Sequence, residues 1–365
     1  MSSTQYHGRL GLQQRVLPNY RVPFFDGLAA ACAGGLGVFS GMPREGEGIT
    51  PGDLHVATHF PAHNVHLLAG PFYLCQQRGF TRWLDEWNPD ALIVEANARY
   101  LATGAAVHWM HARGRKVIGW GLGAPAPSGS LAGLRRTRRL QFLSRFDALI
   151  AYSKRGADEY AALGIPPQQI FVAPNAAAAR PAEAPVRKAA SSGRATVLFV
   201  GRLQRRKRVD RLLRACAALP EPRPQLVIVG DGPERDYLGT LAKEIYPEAQ
   251  FEGARYGEEL KPYFARADLF VLPGTGGLAI QEAMAGGLPV IVAKGDGTQD
   301  DLVRAGNGWQ IAPEDETALI EAMRQALSDV NRLREMGIES YRIVAEEINL
   351  EKMVEAFVEA LNETA

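Results

Sequence analysis

The stretch Leu269–Ala293, LFVLPGTGGLAIQEAMAGGLPVIVA, decides the fold because it places a strand, a glycine loop, a short helix and a second strand in succession. The apolar run Leu269–Leu272 is short and ends at Pro273, which is typical of a parallel strand covered on both faces. Glycines then let the backbone turn sharply and approach a ligand closely. They are Gly274, Gly276 and Gly277.

The helix predicted to begin near Leu278 gives this turn its chemistry. Its first N–H groups and the positive end of its dipole point back at the glycine loop, so the sequence predicts an anion site there. Glu282 follows one turn later, and a carboxylate at that position can accept two hydrogen bonds from vicinal hydroxyls such as those of a ribose. A phosphate site beside a sugar site indicates a nucleotide ligand.

Two other interpretations of the turn stay open at this point. In the first, the glycines serve only the close packing of helix against sheet, and Glu282 is a solvated residue. In the second, Gly274, Gly276 and Ala279 form the dinucleotide-binding pattern G-x-G-x-x-A. Asp296, 20 residues after Gly276, then stands where an acid that binds ribose is expected. Such a pattern usually opens its domain, whereas this one comes late in the chain.

The composition, 46% hydrophobic and 22% charged over 365 residues, is that of a globular protein with enough apolar material for two cores. The formal net charge of +1 conceals an asymmetry. Residues 1–175 carry 17 basic and 11 acidic side chains, whereas residues 196–365 carry 20 basic and 28 acidic ones. A positive first half favours an anionic partner or a membrane surface, and a scatter of solvated charges is the alternative.

Cysteine usage and the distribution of apolar residues bear on location. The three cysteines occur singly, without a CxxC pair, which favours a reducing compartment. The N-terminus has no apolar core of signal-peptide length, and no stretch approaches the ~18 consecutive apolar residues that span a membrane. We therefore expect a cytoplasmic protein. The histidines lie without a matching cysteine or carboxylate cluster, so no metal site is expected.

Short apolar strands alternate with helical stretches, which predicts in each half of the chain a parallel sheet wrapped by helices. The predicted strands of the first half are Leu10–Gln14, Leu36–Ser40, Leu54–Thr58, Ala91–Glu95, Lys116–Trp120, Ala148–Tyr152 and Gln169–Ala173. Its predicted helices are Pro23–Ala33, Tyr73–Glu86, Tyr100–Ala112, Gly133–Ser144 and Lys154–Leu163. The predicted strands of the second half are Thr196–Val200, Gln225–Val229, Gln250–Glu252, Leu269–Leu272, Val290–Ala293 and Trp309–Ile311.

A change of composition separates the two halves. Residues 176–195, AAAARPAEAPVRKAASSGRA, contain two prolines and no aromatic side chain, which is typical of a linker. The chain thus divides into a first Rossmann-like domain over residues 1–175 and a second over residues 196–349. A last helix, residues 350–365, carries one apolar stripe that must pack against another surface.

Loops at the carboxyl edge of the predicted sheets supply candidate ligand contacts, because open α/β sheets bind ligands there. In the second domain, Gly201 and Arg202 end a strand and Lys207 opens a helix, so a short loop aims two cations at a diphosphate. Basic residues are unfavourable at a helix start, which indicates a bound anion. The cluster comprises Arg205, Arg206, Lys207 and Arg208.

Two further loops complete the set of candidates. After a later strand of the second domain, the segment that ends at Arg255 offers exposed backbone against which a flat base can lie. In the first domain, the polar loop after the first strand offers Arg15, Tyr20 and Arg21 as substrate contacts.

The order and spacing of four motifs in the second domain resemble the donor half of the family 4 retaining glycosyltransferases, which have the GT-B architecture. The motifs are GRLQRRKRVDRLLRA, LVIVGDGPERDYL, FEGARYGEEL and ADLFVLPGTGGLAIQEAMAGGLPVI. The opening QQRVLPNYRVPFF resembles transferases that assemble bacterial surface polysaccharides, and FDALIAYSKRGADEYAALGIPPQQIFVAPN also resembles the family. The resemblance implies an α/β fold of two Rossmann-like parallel-sheet domains that face each other across a cleft.

The resemblance also implies roles for individual residues. The family's arginine and lysine match Arg202 and Lys207 and hold the donor diphosphate, while its glutamate matches Glu282 and holds the ribose. The backbone amides that contact phosphate or sugar match Gly277, Leu278 and Ala279. Such enzymes need no metal, because cations and the helix end neutralise the leaving group. The terminal helix usually crosses back to the first domain.

Two departures from the family pattern affect sugar recognition. The first glutamate of the family's paired glutamates falls on Gly274, in a loop about three residues shorter than the common form. The family histidine that contacts the sugar is missing, because the matching stretch here is Trp120-Gly121-Leu122-Gly123. Trp120 is a further candidate acceptor contact. These departures predict altered donor contacts, so a donor other than UDP-glucose is expected, for example a deoxy-sugar nucleotide.

The sequence therefore predicts a cytoplasmic, metal-independent transferase without a cofactor. It would move a hexose or deoxyhexose from a UDP-sugar or GDP-sugar to a glycan or lipid-linked acceptor held by the first domain, in surface polysaccharide synthesis. The expected partners include the inner face of the membrane, through peripheral contact, and no nucleic acid partner is expected. Two other functions stay open, a catalytically silent sugar-nucleotide-binding protein and an NAD-binding oxidoreductase.

Overall fold

The structure is a computed structural model that describes residues 5–185, 194–276, 278–295 and 297–364. It divides the chain into two compact units. The first comprises Met1–Ala177 together with Leu350–Ala365, and the second comprises Ala178–Asn349. Part of the expected linker 176–195, namely residues 186–193, lies outside the described residues.

The first unit is built on an eight-stranded sheet whose spatial order is β4-β3-β2-β1-β5-β6-β7-β8. Its strands are β1 Leu10–Val16, β2 Leu36–Gly41, β3 Thr58–Leu67, β4 Leu74–Arg78, β5 Ala91–Glu95, β6 Lys116–Gly121, β7 Ala148–Ala151 and β8 Ile170–Val172. Its first five helices are α1 Val22–Ala30, α2 Phe80–Trp87, α3 Thr103–His111, α4 Ala132–Leu143 and α5 Lys154–Leu163. Apolar residues that alternate along the central strands form one core on each face of this sheet.

Two predictions for the first unit are wrong. The predicted helix Tyr73–Glu86 begins instead as strand β4, which pairs antiparallel with β3, so this sheet is not wholly parallel. Along β4 the burial alternates between inward and outward positions, and Gly79, at φ 85°, separates the strand from α2. The predicted strand Leu54–Thr58 is also displaced, because β3 begins only at Thr58 and continues to Leu67.

The second unit is built on a six-stranded, wholly parallel sheet in the order β11-β10-β9-β12-β13-β14. Its strands are β9 Thr196–Val200, β10 Gln225–Val229, β11 Gln250–Gly253, β12 Leu269–Leu272, β13 Val290–Ala293 and β14 Gly308–Ile311. Its helices are α6 Val209–Ala218, α7 Arg235–Ile245, α8 Lys261–Arg266, α9 Ala279–Ala285, α10 Thr298–Leu302, α11 Glu316–Leu327 and α12 Val330–Arg342. The chain turns to opposite sides after β9 and after β12, so these neighbouring strands flank the topological switch point of this sheet.

The last helix, α13 Leu350–Thr364, belongs to the core of the first unit. Phe357 is completely buried, and the centroid of its ring lies 4.8 Å from that of Phe24 and 5.0 Å from that of Trp120. The apolar stripe of α13 therefore packs on the sheet face that α1 also covers, and the chain returns to its first unit after completing the second.

Candidate active site

The glycine loop after β12 docks on the turn Arg205–Lys207 that follows β9. The backbone N–H of Thr275 donates to the carbonyl oxygen of Arg206 at 2.9 Å. A Cβ on Gly274 would lie 2.2 Å from that oxygen and 2.4 Å from the carbonyl carbon of Lys207. Gly274 is thus required by backbone contact, not by a positive φ, whereas Gly276 does have a positive φ of 69°.

Lys207 lies at the centre of this contact. Its side chain is buried, and Nζ donates a hydrogen bond of 2.8 Å to the carbonyl oxygen of Gly276. Burial, and to a lesser degree the charge of Arg206, lowers the pKa of Lys207 to about 8. The structure therefore holds an ammonium group, with little water around it, at the switch point of the second sheet.

The other basic residues of the turn differ in environment. Arg202 is exposed and directly follows Gly201, whose backbone N–H donates to the carbonyl oxygen of Val229 at 3.0 Å. Arg208 is instead tied to carboxylates, because its guanidinium pairs with Asp210 at 2.9 Å and also with Glu314. The prediction that Arg208 belongs to the anion site is therefore wrong, since its charge is already compensated.

The start of α9 supplies the remaining predicted donor contacts. Gly277 lies outside the described residues, while Leu278 precedes the first helical residue, Ala279, and no side chain caps that end of the helix. Glu282 lies in the first turn with its side chain exposed. Surrounding protein atoms still desolvate its carboxyl group enough to raise its pKa above the ordinary value.

Arg255 lies at the carboxyl end of the outermost strand, β11. Its side chain is exposed, and Nη1 donates to the carbonyl oxygen of Ala254 at 3.1 Å. The strand order places two strand spacings, about 10 Å, between the ends of β11 and β9. Arg255 is therefore at the same edge as Lys207 but apart from the docked loops.

The predicted acceptor residues of the first unit fall into different environments. Tyr20 is 48% exposed, whereas Arg21 is buried and its Nη2 donates to Asn175 Oδ1 at 2.7 Å. The guanidinium of Arg15 pairs with Glu47 at 2.9 Å. Trp120 is only 1% exposed. The prediction that its side chain contacts an acceptor is wrong, because the ring packs in the core among residues that α1 and α13 contribute.

Sequence reasoning missed Glu95, the last residue of β5. Its Oε2 accepts a hydrogen bond of 2.5 Å from the backbone N–H of Arg15. Desolvation raises the pKa of Glu95 to about 7, although the charges of Arg15 and Arg21 act in the opposite direction. A signal was available, since an acid that closes the apolar run ALIVE stands at the carboxyl edge of a parallel sheet.

Residues 5–185, 194–276, 278–295 and 297–364 contain neither a metal-binding cluster nor a membrane-spanning helix. No group of three or more histidine, cysteine, aspartate or glutamate side chains in these ranges is arranged to hold a metal ion. No helix in them combines the length and the apolar character needed to cross a membrane. Asp296, the acid of the dinucleotide-binding interpretation, lies outside the described residues.

Two family models match the chain. The model described as glycosyl transferase 4-like domain matches residues 26–176, and the model described as glycosyl transferases group 1 matches residues 182–342. The two matches meet where the two compact units divide.

Individual proteins agree with this result. A GDP-mannose-dependent alpha-mannosyltransferase of Corynebacterium glutamicum is 40% identical over 151 residues, 40% of this chain and 34% of that protein. The lipopolysaccharide core biosynthesis glycosyltransferase LpsE of Rhizobium meliloti is 27% identical over 50% of this chain and 51% of that protein. The matched part thus spans between a third and a half of these relatives.

Solved structures show the same fold over nearly the whole chain. The structure of Anabaena Alr3699/HepE in complex with UDP superposes with a TM-score of 0.70 at 16% identity, over 97% of this chain and 99% of that one.

Proposed function

The chain belongs to the family 4 type of glycosyltransferases with the GT-B fold, and we propose that it moves a sugar from a nucleoside diphosphate to a glycan or lipid-linked acceptor with retention of configuration. The observation that carries the proposal is the buried ammonium of Lys207 beside the glycine loop, at the switch point of the second sheet. The membership of this family removes the NAD-binding oxidoreductase from consideration.

A diphosphate is the ligand that this geometry favours. Lys207 Nζ is hydrogen-bonded to the neutral carbonyl oxygen of Gly276, and a phosphate oxygen is a stronger acceptor for the same proton. Arg202 stands exposed at the same edge of the sheet and supplies a second cation. Glu282, one turn into α9, is the candidate to accept hydrogen bonds from the ribose hydroxyls.

In the proposed reaction, the bond between the anomeric carbon and the diphosphate oxygen breaks as the bond to the acceptor oxygen forms on the same face of the sugar. The acceptor proton passes to the departing phosphate oxygen, so no protein base is required. Arg202 and Lys207 stabilise the negative charge that develops on the leaving diphosphate, which is why we propose a metal-independent reaction.

The donor is a UDP-sugar or a GDP-sugar that carries a hexose or deoxyhexose. GDP-mannose is the first donor to test, because a relative that is 40% identical over its matched part is named for it. The relative named for lipopolysaccharide core biosynthesis supports a role in surface polysaccharide assembly.

The acceptor side of the proposal includes contact with a membrane. Helix α4 carries four arginines and no acidic residue, and Leu131 and Leu134 near its start are 55% and 49% exposed. Among the residues that the structure describes, no carboxylate pairs with these arginines, which are Arg135, Arg136, Arg138 and Arg139. A lipid-linked acceptor at an anionic cytoplasmic surface would give this uncompensated charge a partner.

Titration calorimetry with GDP and UDP tests the donor site. We expect Arg202→Ala and Lys207→Ala to weaken the binding of the preferred nucleotide at least tenfold, because charge-assisted hydrogen bonds contribute about 1.5–3 kcal/mol. Arg214→Ala, which removes an exposed arginine of α6, is the control and should leave the affinity unchanged.

Unchanged affinity in both site variants would refute the assignment of Arg202 and Lys207. Incubation of the wild type with nucleotide sugars, followed by NMR of the product anomer, tests transfer and its stereochemistry. Tight nucleotide binding without turnover of any donor would instead identify a catalytically silent binding protein.

A further inference from the structure

The first unit has its own switch point, between β1 and β5. The sheet order places β2, β3 and β4 on one side of this pair and β6, β7 and β8 on the other. Loops therefore leave the two carboxyl ends in opposite directions, which opens the crevice where parallel sheets bind ligands. The residues at the carboxyl ends of these two strands are therefore the candidates for acceptor contacts.

Three polar side chains lie in one row at this edge. Glu95 is the register partner of Trp120 on β6, and Val94 is the partner of Gln13 on β1, so Gln14 stands beside Glu95. Register partners of parallel strands present their side chains to the same face of the sheet. The row Gln14, Glu95 and Trp120 thus crosses three neighbouring strands.

The row contains polar atoms that protein groups do not satisfy. Gln14 Nε2 and Trp120 Nε1 are buried, and neither has a hydrogen-bond partner in the part of the chain that the structure describes. Buried donors without partners are rare in folded proteins and call for an explanation such as a water or a ligand. Both donors belong to residues that stand beside Glu95 in the row.

One carboxyl oxygen of Glu95 is fixed by a hydrogen bond from the backbone, and the other accepts no hydrogen bond within the described residues. Oε2 accepts from the backbone N–H of Arg15, and the backbone N–H of Glu95 donates to Gln13 Oε1 at 3.1 Å. Within the described residues Oε1 has no hydrogen bond and, unlike Gln14 Nε2, is not among the fully buried atoms that lack partners. Because Glu95 is only partly buried, Oε1 is a fixed acceptor that is left for a ligand hydroxyl.

The nearby cations already have partners inside the protein. Arg15 is paired with Glu47, and Arg21 donates to Asn175 while lying 5.1 Å from the ring centroid of Trp120. An anionic ligand group would face the carboxyl group of Glu95, and the two arginines that lie near it in the described structure already have partners. A neutral hydroxyl, by contrast, can donate to Glu95 Oε1.

We propose that Glu95 binds a hydroxyl of a neutral acceptor sugar through Oε1, with Oε2 fixed by the backbone of Arg15. The proposal rests on the glycosyltransferase function and names the acceptor as a neutral polyhydroxy glycan at the position of contact. Glu95 is an acceptor-binding residue in this assignment, and the leaving diphosphate still takes the proton.

The groups that face Glu95 determine how its contact depends on pH. They are Arg15 from β1, Arg21 from the turn before α1, Cys75 from β4, Tyr100 from the loop after β5 and Tyr152 from the end of β7. The pKa values of Cys75, Tyr100 and Tyr152 are all raised, so these groups stay neutral near pH 7. Because burial raises the pKa of Glu95 to about 7, its carboxyl group becomes a charged and stronger acceptor as the pH rises through that value.

The test uses methyl α-glycosides of mannose, glucose and galactose as probes, titrated against the full chain with and without saturating GDP or UDP. The wild type should bind at least one glycoside, with an affinity that rises between pH 6 and pH 8. Glu95→Gln should weaken this binding about tenfold and remove the pH dependence. Glu95→Asp, which keeps the charge but withdraws it by one methylene, should weaken the binding and keep the pH dependence.

Glu47→Gln is the matched control, because it removes the ion pair of Arg15 without altering Glu95. A purely structural role of Glu95 predicts the same loss in Glu47→Gln and Glu95→Gln. The assignment is overturned if no glycoside binds the wild type, or if Glu95→Gln leaves affinity and pH profile unchanged. Failure of GDP and UDP to bind would instead refute the donor function, so the two failures are distinguishable.

Discussion

The state of a single ammonium group governs the proposed donor site. Lys207 has a pKa of about 8 in the ligand-free protein because burial and Arg206 disfavour its charge. A bound diphosphate would favour the charged form and raise that pKa. Binding of the anion is therefore coupled to proton uptake by Lys207 at alkaline pH.

We predict that nucleoside diphosphate affinity changes little near pH 7, is lower by about twofold near pH 8, and falls by up to tenfold per pH unit above the pKa of Lys207. The sign follows because the free protein loses the proton at lower pH than the complex does. Calorimetry with GDP and UDP between pH 7 and 9.5 measures the effect. Lys207→Met should bind the nucleotide weakly, with an affinity that does not change with pH. If its affinity fell with pH as steeply as that of the wild type, the titration would belong to another group.

Gly274 lies in close contact with the backbone of the turn that follows β9. A methyl group on Gly274 would overlap the backbone of Arg206 and Lys207, so Gly274→Ala should separate the two docked loops. We expect lower thermal stability and at least tenfold weaker nucleotide binding. Gly133→Ala is the control, because a Cβ there meets no atom within 4 Å and alanine favours the helix α4. Equal behaviour of the two variants would contradict the contact.

Individual residues show where sequence reasoning is sufficient and where it fails. The placement of Lys207 beside the glycine loop follows from local patterns, since both loops leave neighbouring parallel strands. The environment of Arg208 does not, because one of its two carboxylate partners, Glu314, is 106 residues away along the chain. Trp120 was likewise misassigned because its burial depends on Phe357, far away in α13.

At the scale of elements, the alternation of apolar strands and amphipathic helices was enough to predict every strand of the second sheet within one residue at each end. Strand β4 of the first unit was predicted as helix, because its two glutamines are compatible with either a helix or a strand. Strand β4 forms because it pairs with β3 through backbone hydrogen bonds. The periodicity of the local sequence does not encode these hydrogen bonds.

Helix α4 presents exposed apolar and basic side chains next to one another. Leu131, Leu134, Arg135 and Arg138 share one face by helical spacing, so apolar and basic groups can meet a headgroup layer together. We expect sedimentation with anionic liposomes that fades with added salt. Arg135→Gln/Arg138→Gln should weaken it about 30-fold, since each basic residue near the surface contributes ~1 kcal/mol.

Arg214→Gln, a charge loss on α6 of the second unit, is the control for the liposome experiment and should not alter sedimentation. Equal sedimentation of the wild type with neutral and anionic vesicles would show that α4 is only a solvated helix.

At the scale of the molecule, each unit has its own core, and α13 completes that of the first. Phe357→Ala removes a fully buried ring from the cluster with Phe24 and Trp120 and should cost about 3–5 kcal/mol. We predict that it lowers the melting temperature of the first unit by roughly 10 °C.

Calorimetry combined with tryptophan fluorescence measures this effect, because four of the five tryptophans belong to the first unit. Phe270→Ala in β12 is the matched variant, and it should destabilise the second unit while leaving most of the fluorescence transition in place. A fluorescence midpoint that is the same in Phe357→Ala as in the wild type would contradict the assignment of α13 to the first core.

The position of α13 also bears on synthesis at the ribosome. Domains generally fold in the order in which they leave the exit tunnel. Here the first 177 residues emerge without the helix that covers Phe24 and Trp120, and that helix follows only after all of Ala178–Asn349. The nascent first unit therefore exposes an aromatic surface throughout translation of the second unit. The first unit is the first to begin synthesis and the last to be complete. Until α13 is synthesised, its exposed aromatic surface is a binding site for a chaperone.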